Sequence, residues 1–139
     1  MINLRVIFNI LGLLLLIEGF SMLLPLGVAL YFGGDDLTAI AVSSGIAIIF
    51  GAIAWFLTQR GDKTISKREG YIIVSIVWVV FSVFGALPFI LSGYIPSFTD
   101  AFFETISGFT TTGASILNDV EALPHGLLFW RSMTQWLGG

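Results

Sequence analysis

A chain of 139 residues that is 56% hydrophobic and 11% charged, with a mean hydropathy of +0.96, is too apolar for an ordinary water-soluble domain and reads as a membrane protein. It contains no cysteine, which excludes disulfides, thiolate metal sites and a cysteine nucleophile. The formal net charge is only -3 and the six basic residues do not line one face, which argues against a nucleic-acid partner.

Arg5 precedes an apolar stretch from Val6 to Phe32, longer than the roughly 20 residues that cross a bilayer and interrupted by Glu18 and Pro25. No small-residue cleavage pattern with polar sequence follows it, so it reads as a retained helix and not as a signal peptide. "GGDDL", Gly33 to Leu37, is a polar turn, and Thr38 to Leu57 forms a second span without a charge. Along it Ala39, Ser43, Ala47 and Gly51 recur every four residues, a small-residue stripe that lets another helix approach closely. Residues 1–60 thus read as two leading transmembrane helices.

"QRGDKTISKREG", Gln59 to Gly70, holds Arg60, Lys63, Lys67 and Arg68, four of the six basic residues. The positive-inside rule makes residues 61–70 a cytoplasmic basic loop, which puts the amino terminus in the cytoplasm and the Asp35–Asp36 turn outside. A third span, from Tyr71 to about Leu91, then runs outward with Gly85 and Pro88 near its outer end. After Pro96, a cap at Ser97 with Asp100 three positions on predicts a helix over 98–108. At 1.5 Å per residue it is roughly 16 Å long, about half the hydrocarbon thickness, and cannot cross. "TTTGAS", 110–115, and the polar, acidic "ILNDVEALPHG" come next, so the chain is expected to dip into the membrane and leave on the same side. From about residue 126 the sequence turns apolar again but stops at Gly139, short of a crossing, which suggests a piece of a longer protein.

Irregular backbone at membrane depth costs several kcal/mol per unsatisfied polar group, so it survives only in protein or along a watery path. A short helix entering from outside aims its negative carboxyl end at the membrane centre, where it favours a cation. Beyond that end, Thr110, Thr111, Thr112, Gly113 and Ala114 can turn successive carbonyl oxygens toward an axis. Gly113 permits a dihedral that a Cβ would resist. Hard oxygen ligands suit alkali cations.

A span, a short helix, "ETISGFTTTGASIL" and then "FWRSMTQWLGG" resemble the first pore unit of the Trk/Ktr potassium uptake family. The resemblance implies an all-α membrane protein with transmembrane helices, a re-entrant pore helix and a selectivity-filter loop, a potassium-channel-like fold. In that family four such units lie in one chain, preceded in TrkH-type members by two extra helices. Residues 1–60 match the extra helices, and 71–139 match the first pore unit with its truncated inward helix. The resemblance implies potassium uptake across the bacterial cytoplasmic membrane, with potassium as the transported substrate and no cofactor. By position it assigns filter roles to Thr111, Thr112, Gly113 and Ala114, with Thr110 at the inner approach. It also implies a separate cytoplasmic nucleotide-binding regulatory subunit, and a ring completed by the remaining pore units or by a homo-oligomer, in contact with the lipid bilayer. Unlike the "TVGYG" of tetrameric channels, "TTTGA" has no aromatic residue and no second glycine.

Other residues carry rival readings. Gly113-Ala114-Ser115 with His125 could form an intramembrane serine hydrolase, but Leu117 stands where that motif expects glycine. A non-transporting membrane protein with an interfacial half-helix is the other alternative. Glu18 lies mid-span, where an ionisable group is either functional or neutralised and bonded to a neighbouring helix. Glu104 is expected to hydrogen-bond the filter's supporting backbone, and Arg131 to anchor at the outer interface or pair with an acid. His125 reads as an interfacial residue beside Pro124. Asp35, Asp36, Asp100, Asp119 and Glu121 fall on the expected exterior, where they would concentrate cations or simply be solvated loop charge.

Overall fold

In lipid, backbone groups must close their hydrogen bonds within a segment, and the apolar runs accordingly form helices. A computed structural model describes residues 4–60, 64–115, 117 and 123–138, so Lys63, Asp119 and Glu121 lie outside the described residues. Helices α1 (Leu4–Ser21) and α2 (Leu23–Phe32) continue one apolar run. They meet at a break at Met22, three residues before Pro25, whose ring offers no N–H to the Ser21 carbonyl. Bonds from Met22 N to Glu18 O and from Leu26 N to Met22 O, both 3.1 Å, carry the helical path across it. Gly33, with φ 64°, ends α2.

Helix α3 (Leu37–Leu57) follows, then α4 (Lys67–Ser92), α5 (Phe98–Phe109) and α6 (His125–Gly138). Leu4–Phe32, α3 and α4 are each long and apolar enough to cross a membrane. Helix α4 starts from a capping box between Ser66 and Glu69 and ends at Gly93, φ 80°. Just past that end, the Tyr94 hydroxyl donates to both carboxylate oxygens of Asp35 at 3.0 and 3.1 Å. This bond, with smaller contributions from desolvation and the neighbouring acids, pushes the phenol pKa above its usual value. The link is therefore present at neutral pH and is lost only as pH rises through that raised value.

Helices α1 and α3 touch backbone to backbone. A Cβ on Gly51 would lie 2.8 Å from Gly12 O and 2.8 Å from Leu16 N, and one on Gly12 would lie 2.7 Å from Trp55 N. Ser44 Oγ donates to Gly19 O at 2.8 Å in the same seam. The stripe of small residues on α3 thus meets glycines on α1. Gly51→Val is expected to force the pair apart at a cost of about 1–3 kcal/mol. That cost would be seen as a lower thermal midpoint of the detergent-solubilised protein.

The larger core surrounds α5. It gathers Met22 and Ala29 from the first run, Ala86 and Phe89 from α4, Phe109 from α5, and Leu127, Trp130 and Met133 from α6. Helix α5 is thereby held between α4 and α6, and Gly85 of α4 lies where α5 and the Glu18 side chain of α1 converge. A Cβ on Gly85 would meet Thr105 Cγ2, Phe109 Cε2 and Glu18 Oε1 within 3.0 Å. A Cβ on Gly108 would overlap the Thr134 side chain, and one on Gly138 the main chain of Phe109. Trp130, fully buried, donates its indole N–H to Gly85 O at 2.9 Å, which locks α6 to α4 behind α5. Glu18 is buried in this layer, and among the described residues its carboxylate oxygens have no hydrogen-bond partner.

Candidate ion-filter site

Ser97 caps the start of α5 by accepting from Asp100 N at 3.5 Å. The helix ends in a Schellman arrangement: Thr112 N bonds Ser107 O at 2.9 Å and Thr111 N bonds Gly108 O at 3.0 Å. Thr111 occupies the left-handed position, φ 56°, that glycine normally fills in this motif. For a β-branched residue this conformation costs about 1–3 kcal/mol, and such strain persists only where the surroundings impose it. Gly113 follows with φ 79°. Two positive φ values within three residues bend the chain away from the helix axis.

The exit of the loop is pinned by residues one turn apart on α5. Ser107 Oγ donates to Ala114 O at 2.6 Å, and Ser115 Oγ donates to both carboxylate oxygens of Glu104 at 3.0 Å. Glu104 also accepts from Arg131 Nε of α6 at 2.6 Å. This ion pair is held with only 1% of the Glu104 side chain and 19% of the Arg131 side chain exposed. Glu104 thus supports the loop through the Ser115 hydroxyl and Arg131, and Arg131 takes the acid-pairing role of its two alternatives.

These ties determine which oxygens remain open. Thr110 O accepts from Thr111 Oγ1 at 2.7 Å, and Ala114 O is taken by Ser107. Among the described residues no donor reaches the carbonyl oxygens of Thr111, Thr112 or Gly113. Residues 110–115 are exposed on this unit, whereas the supporting face of α5, Glu104, Thr105, Ser107 and Gly108, is buried. The structure therefore brings together Thr110, Thr111, Thr112, Gly113, Ala114 and Glu104, and adds Ser107, Ser115 and Arg131.

The hydrolase constellation does not form. The Ser115 hydroxyl bonds Glu104, while the His125 ring stacks on Phe32 with centroids 3.9 Å apart. Of the exterior acids, Asp35 binds Tyr94, but Asp36 is fully buried and accepts from Leu127 N at 3.0 Å. It is neither a solvated charge nor a cation collector. Sequence reasoning missed its role, although Pro124 ahead of an apolar run marks a helix start with no side-chain cap of its own.

Spans packed around a half-length helix, followed by an irregular loop braced from behind, define an all-α membrane protein of the potassium-channel-like, helix–pore loop–helix class. The sequence model of the family described as TrkH, cation transport protein, matches residues 37–139, and the chain belongs to that family. It is 38% identical over 138 residues to the Trk system potassium uptake protein TrkH of Halomonas elongata, covering 99% of this chain and 29% of that protein. It is 42% identical over 136 residues to the protein of the same description from Salmonella typhimurium, covering 97% and 28%. The crystal structure of the potassium transporter TrkH from Vibrio parahaemolyticus superposes with a TM-score of 0.91 at 36% identity, over 99% of this chain and 30% of that one. The chain thus spans less than a third of the length of these relatives.

Proposed function

We propose that this chain is the first pore unit of a potassium uptake protein, preceded by its two leading helices, in the bacterial cytoplasmic membrane. The observation that carries the reading is that the successive carbonyls of Thr111, Thr112 and Gly113, in a stretch with two positive φ values just beyond a half-length helix, have no donor among the described residues. Such oxygens replace the water around a dehydrated alkali cation. Thr110 and Ala114 flank the three with carbonyls already engaged inside the unit. One loop cannot encircle an ion, so the ring is completed by equivalent loops from the remainder of a longer chain. The exposure of residues 110–115 on this isolated unit fits that arrangement.

Arg60, Lys67 and Arg68 flank residues 61–63, and the positive-inside rule sets this end and the amino terminus in the cytoplasm. The same face would receive a nucleotide-binding regulatory subunit. The outward apolar side chains of the spans, among them Phe8, Ile49, Phe50 and Phe56, suit lipid or the missing units. The chain's own residues act by coordination and need no cofactor. At about 2.3 kcal/mol per charge per 100 mV, the membrane potential supports roughly fiftyfold accumulation of a monovalent cation.

The test is rubidium uptake by bacteria that lack their own potassium uptake systems and carry the full-length protein from which this unit comes. Saturable uptake, with growth restored in low potassium, is the expected result. Correct membrane insertion without uptake would favour the non-transporting reading.

A further inference from the structure

We propose that Asp36 is a positioning residue for ion passage: it acts as the N-terminal cap of α6 from 91 residues away, so that the leading helices set the helix that follows the filter. This role rests on the proposed function of the filter loop. Helix α6 begins at His125 after Pro124, whose side chain offers no acceptor for the free N–H groups of the first turn. A capping side chain serves the second or third helical residue, and Leu127 is the third. Its N–H is the group that Asp36 Oδ2 accepts, at 3.0 Å and fully buried.

Asp36 is itself the residue that precedes α3, yet its side chain makes no capping bond to α3. The carboxylate is turned away from its own helix and committed to another. Two glycines leave room for it, while its Oδ1 is buried without a hydrogen-bond partner among the described residues. A Cβ on Gly126 would overlap Oδ2 and also meet Ile40 and Ala29, and one on Gly34 would crowd Oδ1. A negative charge there also complements the positive end of the α6 dipole. Beside this contact the His125 ring lies flat on Phe32 of α2, with an interplanar angle of 8°. Helix α6 carries Arg131 toward Glu104 and Trp130 toward Gly85, so its placement is transmitted to the loop exit.

The experiment uses the full-length protein in lipid nanodiscs and in cells, with two readouts. Asp36→Ala is expected to speed amide hydrogen exchange in the first turn of α6 about tenfold, the factor that corresponds to loss of a cap. It is also expected to lower the preference for rubidium over sodium in uptake. Adding Pro124→Asp, which supplies a local cap, restores both. Should Asp36→Ala fail to accumulate, Asp36→Leu, which keeps the approximate shape but offers no acceptor, carries the same comparison with and without Pro124→Asp. Unchanged ion preference in the Asp36 variants, or faster exchange that Pro124→Asp does not reverse, overturns the proposal. Exchange depends on no transport, so a wild-type protein that moves no rubidium counts against the proposed function while the capping result stands separately.

Discussion

Serine at position 113 is expected to reduce rubidium uptake at least about tenfold and to erase most of the preference over sodium, with membrane insertion unchanged. The reason is conformational. Gly113 holds φ 79°, and nothing lies within 4 Å of where its Cβ would sit, so a side chain has room and only the backbone objects. The left-handed conformation costs a residue bearing a Cβ roughly 1–2 kcal/mol, which corresponds to about a tenfold loss of the filter geometry. Relaxation toward negative φ would rotate the Gly113 carbonyl and its neighbour away from the arrangement that the proposed filter uses. Gly113→Ala should behave like Gly113→Ser, because neither the hydroxyl nor bulk is at issue. Gly45→Ala, at another position with open space around it, is the control. Wild-type uptake and ion preference in both Gly113 variants would remove the filter from the proposed function.

The helical class and the three spans were legible because lipid permits few alternatives: long apolar runs must be helices, and their lengths announce themselves. The half-length of α5 was equally readable from Ser97 and from the threonines beyond it. Contacts between segments far apart in sequence were not. Ala47 and Gly51 revealed that a helix packs on α3, but not that Gly12 and Gly19 of α1 supply the opposing face. Asp36 looked like loop charge, since an acid beside Asp35 in a polar turn carries no local sign of burial. Only the fold brings Leu127 to it. The loop itself was read as an extended run, yet its local bonding is more particular. The unexpected left-handed residue is Thr111, and side-chain composition gave no warning of it, because the Schellman bonds to Ser107 and Gly108 impose that conformation against the residue's own preference. Glu104 was read as a support for the loop backbone. Among the described residues it is also bonded by the Ser115 hydroxyl and by Arg131, a partner whose proximity depends on how α6 returns past α5.

That partner provides the second large effect. Arg131→Met is expected to destabilise the unit by about 3–5 kcal/mol, because it strips the cation from a carboxylate buried between α5 and α6. Replacing both members, Arg131→Met with Glu104→Leu, removes the uncompensated charge and should recover most of the stability, since a buried ion pair adds little over a packed apolar pair. Transport should not recover with it. In the double variant Ser115 has lost the acceptor that fixes the loop exit at 3.0 Å, and among the described residues the Ser107–Ala114 bond remains to tie that end to α5. Thermal midpoint and rubidium uptake of the full-length protein would therefore separate: stability near wild type, flux still impaired. Full flux in the double variant would mean that the buried pair serves folding only, and that the loop carrying Thr111, Thr112 and Gly113 is held by α5 without help from α6.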